Sequence, residues 1–212
     1  MARPTIPLFV ITGAQGSGKT AAINRWLRLP GLARTLVVLQ QDGGQALEHD
    51  LVAHCAGGVL RRGFSCACCG PLADLPRTLQ DVPWRFAREG RRLFDRIWIE
   101  TAGDADPLEV ARVVQAQPKL ARQYRPAGVI GVLGRQALSS AADASLPIWR
   151  QAEAADLLLL PPHEKADAGA YAALLDHLRQ LPDSARRRLL PAGPSSDALV
   201  ARFFRESEGS PA

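Results

Sequence analysis

Short, continuous apolar runs alternate along the chain with longer stretches in which apolar residues recur every three or four positions. The clearest runs are residues 6–12 (IPLFVIT), 35–40 (TLVVLQ), 96–100 (RIWIE), 127–133 and 155–160. Their brevity and lack of polar alternation predict strands buried on both faces, as in a parallel sheet. A weaker run at 58–62 and a short edge strand at 188–190 join them. Between the runs, residues 21–29 place Ile23, Trp26 and Leu27 on one helical face. A second helix starts near Asp74, a suitable N-cap with Pro76 in the first turn, and aligns Leu75, Leu79 and Val82. Further helices are predicted at 107–114, opened by Pro107, at 167–180 and at 197–204. This alternation predicts βαβ crossovers around a mainly parallel sheet, with residues 1–205 as one domain and 206–212 as a disordered tail.

The first apolar run ends in Gly13-Ala14-Gln15-Gly16-Ser17-Gly18-Lys19-Thr20, a complete G-x-x-x-x-G-K-T phosphate loop between a predicted strand and a predicted helix. The fold class is therefore α/β, a P-loop NTPase three-layer αβα sandwich. The glycines let backbone N–H groups turn inward, so Gly13, Gly16, Ser17, Gly18, Lys19, Thr20 and Ala21 are the expected phosphate contacts. Lys19 is expected to bridge the β- and γ-phosphates and the Thr20 hydroxyl to hold Mg²⁺. Chance is a weak rival, because only Lys19, Lys119 and Lys165 are lysines among 26 basic residues and one of them occupies the diagnostic position.

At 212 residues and 47% hydrophobic content the chain can bury one good core. No apolar stretch approaches the length of a membrane span, and Met1 to Pro4 leaves no room for a signal peptide before the first strand, which predicts a cytoplasmic protein. The net charge of +5 comes from dispersed arginines without aromatic interleaving or a nucleic-acid motif, so solvated faces are the simpler reading and nucleic acid is not an expected partner. Three of the four cysteines are crowded into one segment, which suits a metal or reactive-thiol site better than a disulfide scaffold.

Two further signals carry chemistry. Glu100-Thr101-Ala102-Gly103 ends the 96–100 strand, and the carboxyl ends of parallel strands face the ligand. Glu100 there can reach Mg²⁺ or a water near the γ-phosphate, and Gly103 permits close approach of the backbone. A helix N-cap is the plainer role for such a carboxylate, but the upstream loop favours the phosphate reading. Cys66-Ala67-Cys68-Cys69 places three thiols within four residues, flanked by Gly63 and Gly70-Pro71, which favour a bend. Thiolates suit zinc, copper(I) or cobalt; Cys55, His54, His49 or a water is the candidate fourth donor. Packing of the cysteines as small hydrophobes, or a redox pair, are the alternatives.

The strand and phosphate loop, then Cys66-Ala67-Cys68-Cys69, then Glu100-Thr101-Ala102-Gly103 followed by Ala105-Asp106-Pro107, resemble in order and spacing the CobW family of P-loop GTPases, relatives of the UreG and HypB nickel chaperones. The resemblance covers roughly residues 7–181. It implies phosphate and Mg²⁺ binding by Gly13, Gly18, Lys19 and Thr20, service of the γ-phosphate side by Glu100 and Gly103, and binding of zinc, cobalt or a related ion by Cys66, Cys68 and Cys69. It also implies GTP as the nucleotide, with ATP as an alternative, a client metalloprotein as partner, and a homodimer. The chain departs from the family pattern at three points. Gln40-Gln41 stand where Asn-Glu is usual, with Asp42, Glu48 or Asp50 as substitutes. Pro161-Pro162-His163-Glu164 stands where the guanine-reading Asn-Lys-x-Asp is expected, so that either Glu164 imitates the aspartate or Lys165 and Asp167 form a displaced Lys-x-Asp. The chain also ends soon after the nucleotide domain. Two readings follow, a slow GTP-hydrolysing metallochaperone with Lys19 and Glu100 as catalytic residues, and a degenerate, non-catalytic nucleotide- and metal-binding module; a small-molecule kinase would leave the cysteines without a role.

Overall fold

The structure, a computed structural model, describes residues 5–40, 46–55, 74–140, 146–163, 166–182 and 188–209. Strand β1 (Ile6–Thr12) leads into helix α1 (Lys19–Leu27), followed by β2 (Thr35–Leu39) and β3 (Val52–His54). Helix α2 (Leu75–Arg85), a hairpin of β4 (Ala87–Arg88) and β5 (Arg91–Arg92), β6 (Arg96–Glu100), α3 (Pro107–Ala116), α4 (Pro118–Gln123) and β7 (Tyr124–Val132) form the middle. Then come α5 (Gln136–Ser140), α6 (Pro147–Ala154), β8 (Leu157–Leu160), α7 (Ala168–Gln180), β9 (Arg188–Pro191) and α8 (Asp197–Gly209). The predicted strand at 58–62 lies outside the described residues.

Among the described residues one sheet runs in the order β3-β2-β6-β1-β7-β8-β9, and every pairing in it is parallel. β2, β6 and β8 are buried at every position, as continuous apolar runs between two helical layers must be. Successive side chains point to opposite faces. Ile6, Leu8 and Val10 of β1 therefore pack with Leu79, Val82, Val110 and Leu120 of α2, α3 and α4. Phe9 and Ile11 pack instead with Ile23 and Trp26 of α1 and Val200 and Phe204 of α8. A third cluster joins Leu158 and Leu160 of β8 to α6 and α7. The result is the three-layer αβα sandwich with the P-loop NTPase strand order. Among the described residues no helix is long and apolar enough to cross a membrane.

Two boundaries and one cap differ from the sequence reading for identifiable reasons. β7 begins at Tyr124 rather than 127, because a bulge at Ala127 absorbs the irregular Pro126 and lets pairing with β1 resume at Gly128. Asp74 occupies the N-cap position of α2, but its side chain makes no capping bond; its backbone oxygen accepts from the Thr78 N–H and hydroxyl, each at 2.9 Å. The expected disordered tail is corrected over 206–209, which continue α8. Glu206 pairs there with Arg188 and Arg202, Glu208 with the buried Arg96, and Arg125 donates to the Ser207 and Glu208 carbonyls.

α8 is held mainly by aromatic burial. Phe204 stacks on Trp98 with centroids 4.5 Å apart and meets Phe9 edge-on at 4.8 Å, while Trp26 meets Trp98 edge-on at 6.0 Å. All four rings are fully buried. Phe204→Ala should therefore destabilise the protein by about 3–5 kcal/mol in a denaturant titration, the usual loss for emptying a buried aromatic site; a change below about 1 kcal/mol would show that α8 is not part of the core.

Candidate functional site

The sheet brings the two strongest sequence signals to one edge. Ile11 near the end of β1 is in register with Glu100 at the end of β6, so the loop leaving β1 and the turn leaving β6 emerge side by side. The loop is wedged between its neighbours. Gly13 has a φ of +147°, and a Cβ there would lie 2.3 Å from the Val132 carbonyl oxygen at the end of β7. On the other side, a Cβ on Gly103 would lie 2.6 Å from the Gln15 backbone nitrogen. Gly103 thus serves first to let the turn after β6 lie flat against the loop, with a backbone contact that any larger residue would break. Gln136 of α5 fixes the outer rim by donating to the Gln15 carbonyl at 3.1 Å.

The loop delivers its chemistry through α1. Gly18 is the left-handed N-cap of that helix, with no side-chain capping bond and no acidic residue in the first turn, so the positive helix end faces the loop uncompensated. Lys19 is buried, and its ammonium donates to the Gly13 and Ala14 carbonyls at 2.6 and 3.1 Å. Burial pushes its pKa below the ordinary lysine value, against the pull of Glu100. The Thr20 hydroxyl donates to Glu100 Oε1 at 2.6 Å. The second oxygen, Oε2, is buried and has no hydrogen-bond partner among the described residues. Burial pushes the Glu100 carboxyl up, opposed by the Thr20 bond and by Lys19.

A hydroxyl and a carboxylate in contact, with one carboxylate oxygen orphaned, form a hard-oxygen donor set suited to a small divalent cation. These residues fit Mg²⁺, with Thr20 and Glu100 as the groups that would hold it.

Two glutamines brace the turn and had no assigned role in the sequence. Gln40, buried after β2, accepts from the Ala102 N–H through Oε1 at 3.1 Å, and its own N–H donates to the Glu100 carbonyl at 3.1 Å. Gln151 of α6 donates from Nε2 to the Gly103 and Ala105 carbonyls at 3.0 and 3.1 Å. Thr101 adds a bond to the Thr12 hydroxyl at 3.0 Å. The available signal was weak: each glutamine is a buried polar residue beside an apolar run, which must find partners somewhere.

The remaining candidates separate. Gly13, Gly16, Ser17, Gly18, Lys19, Thr20 and Ala21 lie together in the loop and first turn, joined by Glu100 and Gly103. Asp167 is the N-cap of α7, where its carboxylate accepts from the Ala170 N–H at 2.9 Å. Glu164, Lys165, Cys66, Cys68 and Cys69 lie outside the described residues, as does Asp42. Among the proposed fourth metal donors, His54 is the last residue of β3 and Cys55 follows it, whereas the His49 ring nitrogen lies 2.7 Å from the Thr35 carbonyl at the amino end of β2. Burial pushes the Cys55 thiol up, which disfavours its thiolate. Glu48, a substitute for the missing acidic residue after β2, is paired with Arg28. Among the described residues no three His, Cys, Asp or Glu side chains gather as a metal site.

Comparison with known proteins agrees with this geometry. The family model for the CobW/HypB/UreG nucleotide-binding domain matches residues 7–189. The zinc chaperone YjiA of Escherichia coli K12 is 26% identical over 128 residues, which are 60% of this chain and 40% of that protein. The zinc-bound structure of the E. coli YjiA GTPase superposes with a TM-score of 0.57 at 21% identity, covering 91% of this chain and 59% of that one. HypB from Helicobacter pylori, in complex with nickel, superposes with a TM-score of 0.60 at 13% identity, covering 97% of this chain and 88% of the other. The two structural likenesses establish the fold. The chain spans less than two thirds of YjiA by either measure, 40% in the sequence match and 59% in the structural one.

Proposed function

Because the chain belongs to the CobW/HypB/UreG nucleotide-binding family, we propose that it binds a nucleoside triphosphate with Mg²⁺, hydrolyses it slowly, and couples that cycle to binding and delivery of a thiophilic metal ion. The observation that carries the nucleotide half is the 2.6 Å bond from Thr20 to Glu100 beside an orphaned, buried carboxylate oxygen at the mouth of a complete phosphate loop. Lys19 exchanges the Gly13 and Ala14 carbonyls for β- and γ-phosphate oxygens, and the first-turn N–H groups of α1 receive the rest of the charge. Mg²⁺, when bound, supplies neutralisation of charge on the β- and γ-oxygens. Glu100, with Thr20, would hold that ion on the γ-phosphate side, and Gln40 and Gln151 keep the turn that carries it in place. A water then attacks the γ-phosphorus while the bond to the β-phosphate bridging oxygen breaks, and the proton lost by the water leaves with the released phosphate or to solvent. The sequence assigns no arginine as a charge-stabilising finger, so slow intrinsic turnover is expected.

Phosphate release by Glu100→Gln tests the assignment. The amide keeps an acceptor for Thr20 and removes the charge, and turnover should fall about 10²-fold or more. Burial pushes the Glu100 carboxyl above its ordinary range, so in the wild type the Mg²⁺ requirement should rise as pH falls through that raised value, while Glu100→Gln shows no such dependence. The effect on stability has the opposite sense. For the ligand-free protein the contribution of Glu100 is greatest below the ordinary carboxylate pKa and declines as pH rises through the raised one. Full activity in Glu100→Gln would remove Glu100 from the site.

The base-reading region supports weak selectivity. The Asp167 carboxylate already caps α7, and His163, in the loop after β8, packs edge-on against Tyr171 at 4.7 Å. GTP should be preferred over ATP by less than about 100-fold, the range expected without an intact buried hydrogen-bonding edge. Competition binding measures this, and a larger preference would assign guanine reading to Glu164 or Asp167.

Zinc or cobalt bound by Cys66, Cys68 and Cys69, a client metalloprotein as acceptor, and a homodimer complete the proposal. The replacement of Asn-Glu by Gln40-Gln41 favours one alternative, a non-catalytic nucleotide- and metal-binding module. In that case triphosphate binds with no phosphate release above a Lys19→Ala control.

A further inference from the structure

The opposite end of the sheet carries a second feature that the nucleotide site does not use. A groove of about 610 Å³ opens where α2, the β4–β5 hairpin and the approach to β7 meet, lined by Pro83, Trp84, Ala87, Gly90, Arg92, Arg122 and Gln123. Arg92 lies before β6, and Arg122 and Gln123 before the first residue of β7, so the groove lies at the amino ends of strands whose carboxyl ends serve the phosphate loop. Trp26, Trp98 and Trp149 are buried at 3% exposure or less, whereas Trp84 is 82% exposed. A largely solvated indole in a concave, mostly apolar setting is an uncommon arrangement for a surface without a partner.

The charge around it is mainly positive. Arg85, Arg88, Arg91 and Arg122 are exposed, and only Glu89, in the hairpin turn, opposes them between residues 84 and 92. Arg88 and Arg91 are direct cross-strand partners, an unfavourable like-charge pair in a hairpin of two residues per strand. Arg85 lies over the Phe86 ring at 5.5 Å and Arg92 over Phe94 at 5.6 Å, which holds both guanidinium groups in place before any ligand arrives. Tryptophan and arginine around an apolar pocket are the residues that dominate protein-binding hot spots. A single-stranded nucleic acid would instead call for successive aromatic platforms, and among the described residues Trp84 is the one exposed aromatic of the groove.

We propose that this groove docks an acidic segment of a partner protein, with one apolar side chain of that segment against Trp84, Pro83 and Ala87, and its carboxylates on Arg92 and Arg122, which line the groove. Binding covers the indole, and the neighbouring Arg85, Arg88 and Arg91 add to the positive field that attracts the segment. The proposal is independent of the nucleotide site, which faces the other way.

A displayed library of random peptides about twelve residues long, selected on the full wild-type chain and depleted on Trp84→Ala, tests it. Recovered peptides should carry at least two acidic residues flanking a large apolar one. Synthesised winners should bind at least about tenfold more weakly to Trp84→Ala, and several-fold more weakly to Arg122→Glu and at about 300 mM rather than 50 mM salt. Both replaced residues are exposed, and unchanged triphosphate binding in each variant serves as the control for folding. The proposal is overturned if no peptide is enriched, if enriched peptides lack acidic residues, or if oligo(dT) binds more tightly than the winners with the same dependence on Trp84.

Discussion

Lys19→Ala should bind nucleoside triphosphate at least about tenfold more weakly than the wild type, a loss on the order of 1.5–3 kcal/mol for a charge-assisted contact, and should release no phosphate above background. The expectation follows from where the ammonium sits. Buried, with its pKa lowered and two loop carbonyls as its neutral partners, Lys19 is held in a place where a cation is costly unless an anion arrives. Phosphate oxygens supply that anion. The diphosphate should lose less, because part of the contact is to the γ-phosphate. Unchanged triphosphate affinity, measured by isothermal titration, would show that the loop does not bind phosphate through this residue.

The parts of the site that were legible in the sequence are those whose chemistry is local. A glycine-rich loop needs its lysine and threonine at fixed offsets, and a carboxylate ending a buried strand needs a reason to be there, so Lys19, Thr20 and Glu100 were readable before any contact was known. Their meeting rests on strand order: β6 lies beside β1, which no periodicity encodes. Gln40 and Gln151 were not legible, because each acts on the turn after Glu100 from a different element, 62 residues away for Gln40 and 48 for the Gln151 bond to Gly103. The end of α8 escaped for the same reason. Its charged, glycine-containing sequence looks unfolded alone, and its order derives from Arg96, 112 positions upstream of Glu208. β7 was placed late because proline and glycine usually interrupt a strand, whereas here a bulge accommodates them.

The second large effect concerns the cysteines. Replacing Cys66, Cys68 and Cys69 together by serine should abolish stoichiometric, tight zinc binding while leaving triphosphate affinity measured without zinc within about twofold, since serine hydroxyls are poor ligands for a soft ion and the phosphate loop is a separate element. Thiolate ligation requires loss of protons, so zinc affinity in the wild type should climb with pH across the thiol range. If the three cysteines serve only as packing, the triple variant loses stability instead, and the reduced wild type binds no stoichiometric zinc.

The cysteine segment lies between β3 and α2 in the chain, and β3 pairs with β2, whose following residue Gln40 braces the Glu100 turn. Occupancy of the γ-phosphate side and occupancy of the thiolates are therefore expected to bias a common piece of structure. The most direct measurement is a zinc titration of the fully reduced protein in two states, one with diphosphate and one with a nonhydrolysable triphosphate, both with Mg²⁺. A coupled metallochaperone shows about a five- to hundredfold difference in zinc affinity between the two states, and by linkage the same factor in nucleotide affinity with and without zinc. Equal zinc affinity in both states would contradict the coupling at the centre of this account.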